Sequence, residues 1–165
     1  MRARLVSLIG SSKCTTKEAG MAEETGRRLA QAGFGLVCGG RGGVMEAACR
    51  GARQAGGVTV GILPGEMAGE GNDYLTVELP TGLGEARNVL VVRAGEAVIA
   101  IGGGLGTLAE IAHALRLGKR VIALGSWQAT SPDGASLPVL RVGTPAEAVA
   151  AVMELPSTRD EKGAG

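Results

Sequence analysis

Short apolar runs alternate with helical patterns along nearly the whole chain, and this alternation narrows the fold more than any other feature. The runs lie at 5–9, 35–38, 58–63, 97–101, 121–124 and 137–142. Apolar residues at helical spacing occupy 17–32, 43–55, 84–94, 107–117 and 145–154. Runs this short, with helices between them, read as buried strands in βαβ units. The pattern predicts an α/β chain, doubly wound, with a mainly parallel sheet and helices on both faces. Residues 75–78 are a further short strand or an extended loop. A chain of 165 residues suits one domain, read here as 1–155. The polar, glycine-ended segment 156–165 is expected to be a flexible tail.

Glycine gathers where the strands end. The chain has 29 glycines in 165 residues, well above the usual ~7 %. Two loops hold many of them: CGGRGGVMEA at 38–47 and IGGGLGTLAE at 101–110. Each leaves a strand and opens a helix. Such turns bring backbone N–H groups close to an anion, and the helix N-terminus adds a partial positive charge. Glycines in this position can also serve only to make tight βα turns. Two such loops, both at the C-terminal ends of strands, favour a ligand that bears phosphate. Gly104, Gly106 and Ala109 formally match the dinucleotide fingerprint, but on a late strand and with no acid about 20 residues on. No GxxxxGK[ST] loop is present either. The loops therefore suit a single phosphate or a mononucleotide.

Glu110 raises a separate question, because a carboxylate beside a phosphate repels it. The chain reads T-x-x-E at Thr15, Thr107 and Thr144, each at an expected helix start. That spacing is a capping box, and Pro145 adds a proline at the first helical position. Glu110 is thus either a cap or a group that reaches past the phosphate to a sugar.

The remaining composition mostly excludes. The formal net charge is +1 with no basic block, so nothing argues for nucleic acid or an anionic membrane. The apolar runs are too short to span a bilayer. MRARLVSLIG is better read as the first strand than as a signal peptide, which makes the cytoplasm the default expectation. The cysteines, Cys14, Cys38 and Cys49, show no CxxC spacing and are read as unpaired thiols. His113 is the single histidine and a poor metal site on its own, so no metal is expected. Trp127 covers an apolar edge or stacks a base, and Arg41 is an exposed loop charge or a phosphate contact. Tyr74 covers a ligand or packs a loop.

GGRGGVMEAA at 39–48, EARN at 85–88 and GGGLGTLAE at 102–110 together resemble the Lonely guy (LOG) family of cytokinin-nucleotide phosphoribohydrolases. The same motifs are shared by the related molybdenum-cofactor-carrier-like proteins. The likeness runs over roughly 4–125. It implies a Rossmann-like fold, a homodimer or homotetramer, and Arg87 with Glu110 as the catalytic pair. It places ligand contacts on Gly10, Ser11, Ser12, Gly39, Gly40, Gly42, Gly43, Met45, Gly103, Gly104, Gly106 and Thr107. The implied chemistry cleaves the N-glycosidic bond of a nucleoside 5′-monophosphate, giving free base and ribose 5-phosphate with no cofactor. The alternative is a non-catalytic carrier or sensor of a phosphorylated ligand such as molybdopterin. The hydrolase motif has proline where this chain has Gly102, and lysine where it has Asn88. The IGGG form resembles the carrier-like branch. Lysine decarboxylation is excluded, because none of Lys13, Lys17, Lys119 and Lys162 sits in a glycine loop.

Overall fold

The structure, a computed structural model, describes residues 3–156. The predicted tail, except its first residue, lies outside them. The elements run β1 (Arg4–Gly10), α1 (Thr16–Gln31), β2 (Phe34–Cys38), α2 (Val44–Gln54), β3 (Thr59–Leu63) and β4 (Val77–Pro80). A 3-10 turn at Gly84–Arg87 then leads into α3 (Asn88–Ala94), β5 (Ala97–Ile101), α4 (Leu105–Arg116), β6 (Arg120–Leu124), β7 (Leu140–Val142) and α5 (Pro145–Met153). The sheet order is β4-β3-β2-β1-β5-β6-β7, and every paired strand is parallel. This is the predicted α/β architecture.

The alternation of side chains along each strand divides the core in two. Val6, Leu8, Leu36, Ile99 and Ile122 pack with α1, α2 and α5. Ile9, Val37, Val98, Ala100 and Val121 face α3 and α4 through Val91, Val92, Ile111 and Ala114. Both faces are covered, which is why the strands read as continuous apolar runs. α1 and α2 cross closely because Gly26 and Gly51 carry no side chain. A Cβ on Gly51 would stand 1.9 Å from the Glu23 carbonyl oxygen.

Some boundaries differ from the sequence reading. Residues 75–78 resolve into the edge strand β4, shifted to Val77–Pro80. The strand expected at 137–142 keeps only its last three residues, because Pro138 has no N–H for the ladder. The helix expected from 84 begins as the 3-10 turn. The helix expected from 107 begins at Leu105, capped by Gly104.

That last shift settles which T-x-x-E segments are caps. Thr15 and Glu18 form a full capping box, with Glu18 N donating to Thr15 Oγ1 at 3.2 Å and Thr15 N to Glu18 Oε2 at 2.8 Å. Thr144 accepts from Glu147 N at 3.2 Å, while the Glu147 carboxylate takes the Gly143 N–H at 2.7 Å. Thr107 is not a cap. It lies inside α4, and Glu110 falls a turn too late to bond the cap backbone.

The chain steps outward from β1 to β4, then crosses back to lay β5 on the other side of β1. The crossing makes a topological switch point at the C-terminal ends of β1 and β5, where such sheets bind ligands. Gly10 and Ile101 are register partners there. A Cβ on Gly10 would lie 2.5 Å from Val44 Cγ1 and 2.7 Å from the Ile101 oxygen, so β1 ends against α2 and β5 with no room to spare.

Candidate functional site

A cavity of about 440 Å³ opens at this switch point. The turn after β1 supplies Gly10, Ser11 and Ser12, and the turn after β2 supplies Arg41 and Met45. Pro64 follows β3. The segment entering α3 contributes Gly84, Glu85, Arg87 and Asn88, and the start of α4 contributes Gly104, Gly106, Thr107 and Glu110.

The α4 wall is bare backbone. A Cβ placed on Gly104 or Gly106 would meet nothing within 4 Å. Neither residue has a positive φ. Packing and backbone conformation therefore leave room for a side chain at both positions, yet both are glycine beside the cavity. Gly106 even weakens the helix that contains it, since glycine costs about 0.5–1 kcal/mol against alanine in a helix. The first N–H groups of α4 have no intrahelical partner, and their partial charge favours an anion. Thr107, 3 % exposed, sits in the same turn.

Glu110 lies one turn further along α4, near the Thr107 face, and is 8 % exposed. Burial raises its carboxyl to about 7, and the charge of Arg87 offsets part of that rise. Arg87 comes from the opposite wall at 9 % exposure. Burial lowers its guanidinium from the ordinary arginine value; Glu110 acts in the other direction and Arg41 reinforces the lowering. Arg87 Nη2 donates to the Gly39 carbonyl at 3.3 Å, and Nη1 donates to Asn88 Oδ1. Its Nε is the buried side-chain polar atom left without a partner among the described residues. Arg87 and Glu110 do not close into an ion pair. The cavity walls thus hold a carboxyl that burial raises and a guanidinium with one nitrogen unbonded.

Of the predicted ligand contacts, Gly10, Ser11, Ser12, Met45, Gly104, Gly106 and Thr107 line the cavity with Arg87 and Glu110. Gly39, Gly40, Gly42, Gly43 and Gly103 do not line it. Gly39 leaves space for Arg87: a Cβ there would be 2.9 Å from Nη2. Gly43, at φ +63, caps α2 against the Ser11 carbonyl, and Gly103, at φ +115, passes tightly over Thr107. These glycines shape the turns that carry the wall residues.

Arg41 is part of the wall, which its place inside a glycine loop had left open. Pro64, Gly84, Glu85 and Asn88 were not anticipated as wall residues. The available signal for Pro64 was its position directly after a strand; for Glu85 and Asn88 it was their place in EARN. Trp127 packs against the α3–α4 side of the core and donates its indole N–H to the Gly104 carbonyl at 2.9 Å. Tyr74 packs beneath Arg50, 5.7 Å from guanidinium carbon to ring centre, outside the cavity. His113 also lies outside it. Cys38 and Cys49 are free and buried in the core, with sulfurs 3.6 Å apart. No helix among the described residues is long and apolar enough to cross a membrane.

A model of the SLOG cluster4 family matches residues 3–152. The chain belongs to this family. An uncharacterized protein of Archaeoglobus fulgidus is 41 % identical over 124 residues, covering 75 % of this chain and 82 % of its own. Among solved structures, this SLOG cluster4 chain is similar to the molybdenum cofactor binding protein of Rippkaea orientalis. That protein is 33 % identical, with 93 % of this chain and 97 % of that one covered and a TM-score of 0.83. The molybdenum cofactor carrier protein of Chlamydomonas reinhardtii is 35 % identical, with 93 % and 97 % covered and a TM-score of 0.80. DNA processing protein A of Streptococcus pneumoniae shares the fold at 20 % identity and a TM-score of 0.71, with 94 % of this chain and 62 % of that one covered. At that identity the likeness concerns the fold alone.

The SLOG cluster4 site also accounts for one departure noted in the sequence. Gly102 adopts φ +53. Proline is fixed near −65°, so the proline of the hydrolase motif does not fit this turn. The strand leaves the sheet by a path open to glycine.

Proposed function

We propose that this cavity binds a small phosphorylated ligand built on a heterocycle and that the protein carries or senses it. A pterin-based molybdenum cofactor is the leading cargo. The observation that carries the reading is the bare start of α4, where Gly104 and Gly106 leave space that neither packing nor φ demands. A phosphate there would take the unpaired N–H groups of the first turn and the Thr107 hydroxyl. The Arg87 guanidinium adds positive charge on the facing wall. Glu110, raised to about 7, is half neutral at that pH and then repels an anion less than an ordinary carboxylate. The similarity to the cofactor-binding proteins over nearly full length, together with Gly102, supports cargo binding above turnover.

A second reading, hydrolysis of a nucleoside 5′-monophosphate, is supported by Arg87 and Glu110 facing one cavity with Glu110 poised near neutrality. In that reading ionised Glu110 stabilises positive charge on the sugar or activates water. Arg87 orients the carboxylate or assists departure of the base.

The test is one set of incubations. The protein is offered AMP, GMP, isopentenyl-AMP and molybdenum cofactor, with binding and release of ribose 5-phosphate measured side by side. Cofactor binding with no release, little changed by Glu110→Ala, is the result expected of a carrier. Ribose 5-phosphate release that Glu110→Ala abolishes would replace the carrier reading with the hydrolase.

A further inference from the structure

The turn that carries the proposed phosphate site has no side chain of its own to hold it. Gly102, Gly103 and Gly104 are consecutive, two of them at positive φ, and Gly104 caps α4 without a side-chain bond. A bare glycine run is costly to order. Its bracing comes from the segment after β6. Ser126 Oγ donates to the Gly102 carbonyl at 2.6 Å. Trp127 Nε1 donates to the Gly104 carbonyl at 2.9 Å, and that carbonyl also accepts the first helical bond, from Leu108 N at 3.2 Å. Arg141 Nη2 in turn donates to the Trp127 carbonyl at 2.8 Å, tying the brace to β7.

A trans peptide is rigid and planar, with its N–H pointing opposite to its C=O. Pinning the Gly102 and Gly104 carbonyls therefore also sets the directions of the Gly103 and Leu105 N–H groups. We infer that Trp127, helped by Ser126, is a positioning residue for the anion-binding turn: its indole N–H holds the backbone at Gly104 so that the following amides are presented to the ligand phosphate. This inference rests on the phosphate placement proposed above. Trp127 makes no part of the cavity wall and acts through Gly104. It is also the one tryptophan of the chain, so its emission reports on the turn.

The experiment compares the wild-type protein with Trp127→Phe, which keeps a smaller aromatic ring against the core and removes the indole N–H. Hydrogen exchange of the two bonded amides that flank the turn, Gly102 N–H on the Leu124 carbonyl and Leu108 N–H on the Gly104 carbonyl, is measured first, without ligand. Faster exchange at Leu108 in Trp127→Phe, with exchange in β1 and β5 unchanged, is expected; equal rates at both amides overturn the inference whatever the ligand proves to be. AMP and adenosine are then titrated into both proteins. The loss of one hydrogen bond is expected to weaken AMP about 3- to 10-fold while adenosine is unaffected. The wild-type emission is expected to shift with AMP. Equal weakening of AMP and adenosine would mean general loosening and would overturn the positioning role. Faster exchange in the variant, with no AMP binding by the wild type, would leave the brace standing and remove AMP from the function proposed above.

Discussion

Replacing Glu110 by glutamine is expected to stabilise the protein at alkaline pH and to do nothing for it in acid. The carboxyl rises from 4.5 to about 7 on folding, chiefly through burial. The folded state therefore holds a proton that the unfolded chain releases between those values, so stability falls as pH rises through that window. Below 4.5 both states are protonated and the penalty is absent; above about 7 it is complete. Its full size is about 3 kcal/mol. The Arg87 attraction is already contained in the net rise, so no separate credit is due. Glutamine mimics the neutral acid and avoids the penalty. For a chain of this length the difference corresponds to a melting point higher by roughly 6–12 °C at pH 8. The assay is thermal or urea unfolding of both proteins from pH 4 to pH 8. Two curves that meet near pH 4, part between 4.5 and about 7 and then keep a constant separation to pH 8 support the assignment. Parallel curves, or a variant less stable at pH 8, would refute the claim that Glu110 is held in a poorly solvated site.

Other consequences can be checked as directly. Anion affinity is expected to fall as pH rises through about 7, where Glu110 ionises, and to lose that component in Glu110→Gln, as sulfate titrations would read without interference from the phosphate's own proton. Gly106→Ala is expected to raise stability by about 0.5–1 kcal/mol and to weaken phosphate-ligand binding more than tenfold, because the methyl enters the cradle. Gly51→Ala should do the reverse in kind. It is expected to destabilise by about 2 kcal/mol in urea unfolding, since its methyl would strike the Glu23 carbonyl of the neighbouring helix. Light scattering is expected to find a dimer or tetramer, and a strictly monomeric species would count against the assembly implied by the family resemblance.

The layered fold was readable because buried parallel strands are apolar on both faces, and runs such as AVIAI leave little alternative. The residues that line the cavity were legible in two ways: the glycines at the start of α4 stood out as a loop after an apolar run, while the family resemblance singled out Arg87, Thr107 and Glu110. The residue at which α4 begins was not legible. T-x-x-E at Thr107 looks like the boxes at Thr15 and Thr144, and only the path out of β5, by way of Gly102 and Gly103, moves the helix two residues earlier. The same limit explains Gly39, Gly40, Gly42, Gly43 and Gly103. A glycine that faces a ligand and a glycine that lets a neighbour pass are identical in sequence. Only the surroundings of the missing Cβ separate them, as Gly39 behind Arg87 and Gly106 beside open space show. Trp127 does cover an apolar edge of the core, but its hydrogen bond was not legible, because its partner, the Gly104 carbonyl, lies 23 positions away.

The cavity is assembled from turns that follow separate strands, each anchored by its own crossover. Such a vessel can be retooled one panel at a time. Exchanging Glu85 or Asn88 would alter one wall of the cavity without touching the backbone at the start of α4, and rebuilding the turn after β2 would leave both in place. A wall built this way can change one turn at a time while the backbone at the start of α4 keeps its form.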